Sequence, residues 1–175
     1  MKHHNKKAQI MGVPFQIIFS LILIAAFIYA AMIGIRYFIG TSNHAKINLF
    51  IGELSGDVEN AWLATEISQE YEFSLPSGIK YVCFSEPNTL TKAMLNSSEC
   101  PEFEMYVSNF KDKNMNMFFC PPEEAWKVDA PINALISCKG KNCLQFNKNP
   151  YCIKNTGKIK IKLEKDLGNE KIKLS

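Results

Sequence analysis

The stretch VPFQIIFSLILIAAFIYAAMIGI, residues 13–35, carries no charged side chain. At about 1.5 Å of rise per residue, a helix of this length reaches the roughly 30 Å of a bilayer's hydrocarbon core. Gln16 and Ser20 are its only clearly polar side chains. Both lie near its start, where a hydroxyl can bond back to the helix's own carbonyl groups. Pro14 falls in the first turn, where a missing N–H costs little. Tyr37 and Phe38, beside Arg36, have the composition of an interfacial anchor. The run is longer than the roughly 7 to 15 residues of an ordinary signal-peptide core, and Tyr29-Ala30-Ala31 is the nearest approach to a small-residue cleavage site. The expectation is therefore a retained transmembrane helix over residues 13–39.

On the N-terminal side, residues 1–12 are polar and basic, and His3 and His4 read as part of a solvated tail. The chain of 175 residues has a formal charge of +3, but this mixes two regions. Lys2, Lys6, Lys7 and Arg36 account for four of the 20 basic residues, so 16 remain to face all 17 acidic residues in the C-terminal part. That part is nearly neutral and has no basic stripe interleaved with aromatics, which argues against a nucleic-acid partner. All six cysteines follow the apolar run. An even number in a small domain points to disulfides in an oxidising space, with reduced core thiols as the alternative. Lys2, Lys6 and Lys7 before the helix, against Arg36 and Lys46 after it, agree with a cytoplasmic N-terminus and an extracellular C-terminal domain. Asn96-Ser97-Ser98 fits an N-glycosylation acceptor on that side.

Beyond the membrane segment, residues 40–72 are expected to form an extracytoplasmic amphipathic helix. Ile47, Phe50, Ile51, Leu54, Val58, Ala61 and Trp62 recur at three- and four-residue steps, while most charged residues fall elsewhere. Thr41 or Ser42 offers an N-cap hydroxyl, so the segment either bends at Gly40 or continues the membrane helix. Leu75-Pro76-Ser77-Gly78 closes it. Residues 73–175 then read as a β-rich head, with strands at 79–84, 115–120, around 103–107, and at 132–138. The clearest alternation is at 151–154 and 158–163. With Asn155-Thr156-Gly157 between them these segments predict a hairpin, and residues 170–175 predict a third strand of the same meander. The fold class is α+β: a transmembrane helix, an amphipathic helix, and a small antiparallel β domain with disulfides.

Six cysteines permit fifteen connectivities. Cys83 and Cys152 sit centrally in strand-like segments and are expected to pair across a sheet. Cys138 and Cys143 are expected to close a small loop, leaving Cys100 with Cys120. Zinc requires four soft or imidazole ligands, and Cys138 with Cys143 is a single close pair with no histidine beyond His44. Histidines confined to the tail and the juxtamembrane turn are poorly placed to serve a serine or cysteine nucleophile. Glu123-Glu124 and Glu102 with Glu104 read as solvated acids, and Trp62 and Trp126 as core. No enzymatic activity, cofactor or metal is expected.

Lys6-Lys7-Ala8-Gln9, directly ahead of a long apolar helix, resembles the class III signal peptides of archaeal type IV pilin-like proteins. The resemblance implies cleavage on the cytoplasmic side between Ala8 and Gln9, a helix retained as anchor or filament core, and a β-rich head displayed outside. The family pattern places a serine two residues after the glutamine and a glutamate four after it, where this chain has Met11 and Val13. That glutamate guides assembly in the family. Here association through the helix would rest on packing of small residues such as Ala25, Ala26, Ala30, Ala31 and Gly34. The segments LPSGIKYVCF from Leu75 and NPYCIK from Asn149 also look like ones in small archaeal membrane proteins. The partners implied are the lipid bilayer and, through the N-terminal helix, further copies of the chain or related pilin-like subunits.

Overall fold

A computed structural model describes residues 12–86, 100, 115–127 and 130–175. The chain divides into two compact units, Met1–Gly40 and Thr41–Ser175. A single helix, α1 (Gly12–Leu63), supplies the described part of the first unit and the opening of the second. It continues through Gly40, the position at which the sequence allowed a bend.

Within the first unit the side chains of residues 15–39 are exposed. Phe15, Phe27 and Phe38 each keep more than two thirds of their surface, at 71, 72 and 73 %. Of the described helices, α1 alone is long and apolar enough to cross a membrane. Ser20 Oγ donates to the Gln16 carbonyl at 2.8 Å, so this hydroxyl is satisfied inside the helix.

In the second unit the helix changes character. Ile47, Phe50, Leu54, Val58 and Ala61, at steps of three and four, are all buried. The helix ends at Leu63, earlier than the expected boundary near residue 72, and residues 67–74 are instead a strand, β1 (Ile67–Ser74). The reason lies in the spacing of Ile67 and Tyr71, four apart, a step that fits both a helical face and a strand face. Eight registered pairs with a later strand decide between the two.

The remaining elements are β2 (Tyr81–Phe84), β3 (Met117–Cys120), the short helix α2 (Pro122–Trp126), β4 (Asn133–Ala134), β5 (Leu144–Phe146), β6 (Tyr151–Lys154), β7 (Lys158–Lys165) and β8 (Ile172–Leu174). They build two four-stranded sheets, ordered β1-β7-β8-β5 and β4-β3-β2-β6. The expected strand at 132–138 is reduced to β4, and the one around 103–107 lies outside the described residues.

The expected hairpin at residues 151–163 is not one. β6 pairs with β2 in one sheet, and β7 pairs with β1 and β8 in the other. Residues 155–157 are a corner between sheets. They run beside residues 75–80, where the chain makes the same crossing in the opposite direction. Asn155 fastens the two crossings together. Its Nδ2 donates to the carbonyls of Pro76 at 2.9 Å and Ile79 at 2.7 Å, and its backbone N–H donates to Lys80 at 2.8 Å. Its Oδ1 accepts from the Gly157 N–H, and Gly157 takes a φ of 98° that favours glycine. Alternation fixes which side chains share a face, but both segments can satisfy that rule while pairing with different partners. β8 does follow β7 antiparallel, as the meander required. It also pairs with β5 in parallel, whereas the other pairings among the described strands are antiparallel.

One face of α1 packs onto both sheets. Phe50 meets Phe73 of β1 and Phe119 of β3 edge to face, with centroids 5.2 and 5.9 Å apart. Each such pair adds about 1 kcal/mol to the burial of its rings. Ile159, Ile161 and Leu163 of β7 and Val82 and Phe84 of β2 complete this core. Cys83, Cys100, Phe118 and Cys120 form a smaller cluster on the other face of the β2–β3 sheet. With both faces covered, β2 and β3 read as unbroken apolar runs, YVCF and MFFC.

Candidate functional site: a lysine-rimmed cleft beside Trp62

The structure joins Cys83 to Cys152, Cys100 to Cys120 and Cys138 to Cys143, the pairs named from the sequence. Cys83 and Cys152 face each other in the β2·β6 register with Cα atoms 4.0 Å apart. The expected processing position, Ala8 and Gln9, and the acceptor Asn96 lie outside the described residues, as do Glu102 and Glu104. Glu124 lies on α2 and holds Lys127 at 2.5 Å. Among the described residues no group of three or more His, Cys, Asp or Glu side chains is placed to hold a metal ion.

The Cys138–Cys143 loop forms a wall of a cleft of about 370 Å³, together with Trp62, Glu170 and Lys171. Cys138 and Lys141 exchange backbone hydrogen bonds of 2.9 and 3.0 Å across Lys139-Gly140. Both central residues have positive φ, 47° at Lys139 and 78° at Gly140, the signature of a type I′ turn. Glycine adopts this backbone freely. A lysine there costs of order 1 kcal/mol, offset by the disulfide that closes the loop five residues on. The turn carries the Lys139 ammonium over the Trp62 indole, 5.3 Å from its centroid.

Trp62 is held from the helix end. Lys165 Nζ donates to the carbonyl of Trp62 in the last turn of α1 and, at 2.7 Å, to that of Ala64 just past its end, and lies 6.0 Å from the indole centroid. An ammonium at a helix C-terminus satisfies orphan carbonyls and complements the dipole. Asn142 is fixed from below. Its Oδ1 accepts from the Leu144 N–H at 3.3 Å and lies 3.5 Å from Asn116 Nδ2. Asn116, fully buried, exchanges two further bonds with the backbone of Ile136, at 2.6 and 2.8 Å.

The charges around the cleft differ from those on the β1–β7 surface. There Lys158 pairs with Glu72, Lys160 with Glu70 at 3.0 Å, and Lys162 with Glu164 at 2.5 Å. The hydrogen bond and charge of Lys158 hold the Glu72 carboxyl below its ordinary range, and Lys162 does the same for Glu164. The hydrogen bond that Lys160 donates to Glu70 raises its ammonium above the ordinary value. Among the described residues Lys139, Lys141 and Lys171 have no carboxylate within ion-pair distance. Farther along α1 the Asp57 carboxyl is raised by burial and then by the charge of Glu53.

Sequence reading assigned Trp62 to the core and gave Lys139, Lys141 and Lys171 no role. Trp62 is half-buried and lines the cleft. Three separate segments, the end of α1, the 138–143 loop and the β7–β8 connection, meet there, and no local pattern announces such a meeting. The one usable signal was Lys-Gly-Lys between two close cysteines, which marks a stapled turn with basic residues at its tip. No family model, curated protein or solved structure matches the chain.

Proposed function

We propose that this chain is a single-pass, membrane-anchored surface protein of pilin-like design, without enzymatic activity, whose helix serves as anchor or assembly stalk and whose disulfide-bonded head makes contacts outside the cell. The observation that carries this reading is the change along α1. Residues 15–39 leave every apolar side chain exposed, whereas from Ile47 onward one face is buried under the β domain. A long exposed apolar helix is stable in lipid or against other such helices. Three disulfides in the other unit suit an oxidising compartment. The orientation proposed is N-terminus in the cytoplasm and head outside.

The test is N-terminal sequencing of the protein recovered from membranes, combined with labelling of intact cells by a membrane-impermeant amine reagent. A chain beginning at Gln9 with a labelled head, and polymers or homo-oligomers in negative-stain images, supports the pilin-like reading. An unlabelled head sinks it. The cleft favours a second reading, a monomeric anchored binding module or an accessory subunit of a membrane complex. Size exclusion of the detergent-extracted protein separates the two, because only the first predicts self-assembly.

A further inference from the structure

We propose that the cleft beside Trp62 binds an acidic saccharide, a sugar polymer bearing carboxylate or sulfate groups, through the ammonium groups of Lys139, Lys141 and Lys171. This rests on reading the β-rich unit as an external head, since a surface polymer is met only there.

Charge is the first support. Three lysines line or rim one cleft, with Glu170 the single acid among its described lining residues, in a C-terminal part that is close to neutral. On β7 the lysines Lys158, Lys160 and Lys162 each have a carboxylate partner. At the cleft none of the three has a carboxylate within ion-pair distance among the described residues, with Glu170 sharing the lining. Lys139 is instead oriented by the indole, and a π face positions a cation without cancelling its charge.

Preorganisation is the second. The positive φ of Lys139, the two-residue turn and the Cys138–Cys143 bridge fix the backbone beneath the ammonium before any ligand arrives. A fixed backbone lowers the ordering cost of binding.

The donor set selects the class of ligand. Lysines act as separate point charges and lack the planar fork that an arginine presents to carboxylate and phosphate alike. The chain's single arginine is Arg36, far from the cleft in sequence. Dispersed ammonium groups match single anionic charges spaced along a polymer. Trp62 and Asn142 also line the cleft, and both side chains carry N–H donors of the kind that suit sugar hydroxyls. A nucleic-acid strand would call for a row of stacking aromatics, and the cleft holds one.

The experiment uses the full chain in detergent micelles with Trp126→Phe, which leaves Trp62 as the sole tryptophan. Polygalacturonate, dextran sulfate and neutral dextran are titrated while indole emission is followed. The expected result is a saturable change with one or both polyanions and none with neutral dextran. The combined variant Lys139→Gln, Lys141→Gln, Lys171→Gln weakens binding at least tenfold, whereas Lys158→Gln with Lys160→Gln leaves it within twofold. Urea midpoints of all variants establish that each is folded. Emission that moves with neither polyanion overturns the proposal, as does equal weakening by the two variant sets. Tighter binding of polyglutamate or of phosphatidylglycerol vesicles than of either polysaccharide also overturns it. Head labelling and oligomer formation are read separately, so failure of the surface-protein reading is distinguishable from failure of the cleft to bind.

Discussion

Residues 15–39 and residues 47–63 belong to one helix, yet they answer to different solvents. In the first stretch Phe, Ile and Leu point in every direction and remain exposed. In the second, Ile47, Phe50, Leu54, Val58 and Ala61 are buried while Gly52, Glu53, Gly56 and Glu59 face water. A helix that is hydrophobic all round needs lipid or other helices, and a helix with one apolar stripe needs a single packed neighbour. Secondary structure is the same in both; what differs is where the apolar surface goes. Stability of the head and attachment to the membrane should therefore be separable by mutation.

The largest effect should come from the bridge that spans the head. Replacing Cys83 and Cys152 together by alanine removes a closure across 69 residues. In the chain-entropy picture this lowers head stability by about 4 kcal/mol. Urea unfolding should show the loss while the protein still sediments with membranes. A variant that left the membrane fraction would break the separation between the two stretches.

Leu54→Ala should cost about 3 to 4 kcal/mol in the same unfolding measurement, because Leu54 is fully buried beneath the sheets. Leu23→Ala, the same chemistry at a 42 % exposed position, should leave the urea midpoint unchanged. Equal effects would show that the apolar stretch contributes to the core of the head. The converse variant is Ile28→Asp, in the middle of the apolar run. It should cost about 3 kcal/mol of membrane insertion, read as protein extracted by alkaline carbonate, with no change in head unfolding.

The smallest effect is electrostatic. Glu72 has its carboxyl held below the ordinary 4.5 by Lys158. Its contribution to stability is therefore present above pH 4.5 and disappears as the pH falls through the lowered folded-state value. Glu72 lies on the exposed surface, so the gain is small and screened by salt. Carboxyl NMR should show a depressed titration midpoint for Glu72 that returns to normal in Lys158→Gln. A normal midpoint in the parent protein would remove this ion pair from the account.

Several parts of the architecture were readable because one physical period governed them. At its length the apolar run favoured a retained anchor over a cleaved signal peptide. The stripe from Ile47 to Trp62 followed the 3.6-residue repeat, and the Cys83–Cys152 contact followed from two strand centres. Where a spacing served two periods, as with Ile67 and Tyr71, the reading extended the helix too far. Where a pattern specified a face and no partner, as at residues 151–163, it produced a hairpin in place of a corner. The cleft was not legible, because Trp62, Lys139 and Lys171 are far apart in the chain and each alone looks ordinary.

By itself, then, the sequence determined which segment is suited to lipid, which helix face is apolar, and that the cysteines lie together beyond the apolar run. These properties are local or compositional, set by side-chain chemistry repeated along a few turns. Only the tertiary structure decided that residues 155–157 change sheets, that β8 joins β5 in parallel, and that three lysines line one cleft together with an indole. Strand pairing and site assembly depend on which distant backbone groups complete each other's hydrogen bonds, and that is a property of the whole packed chain.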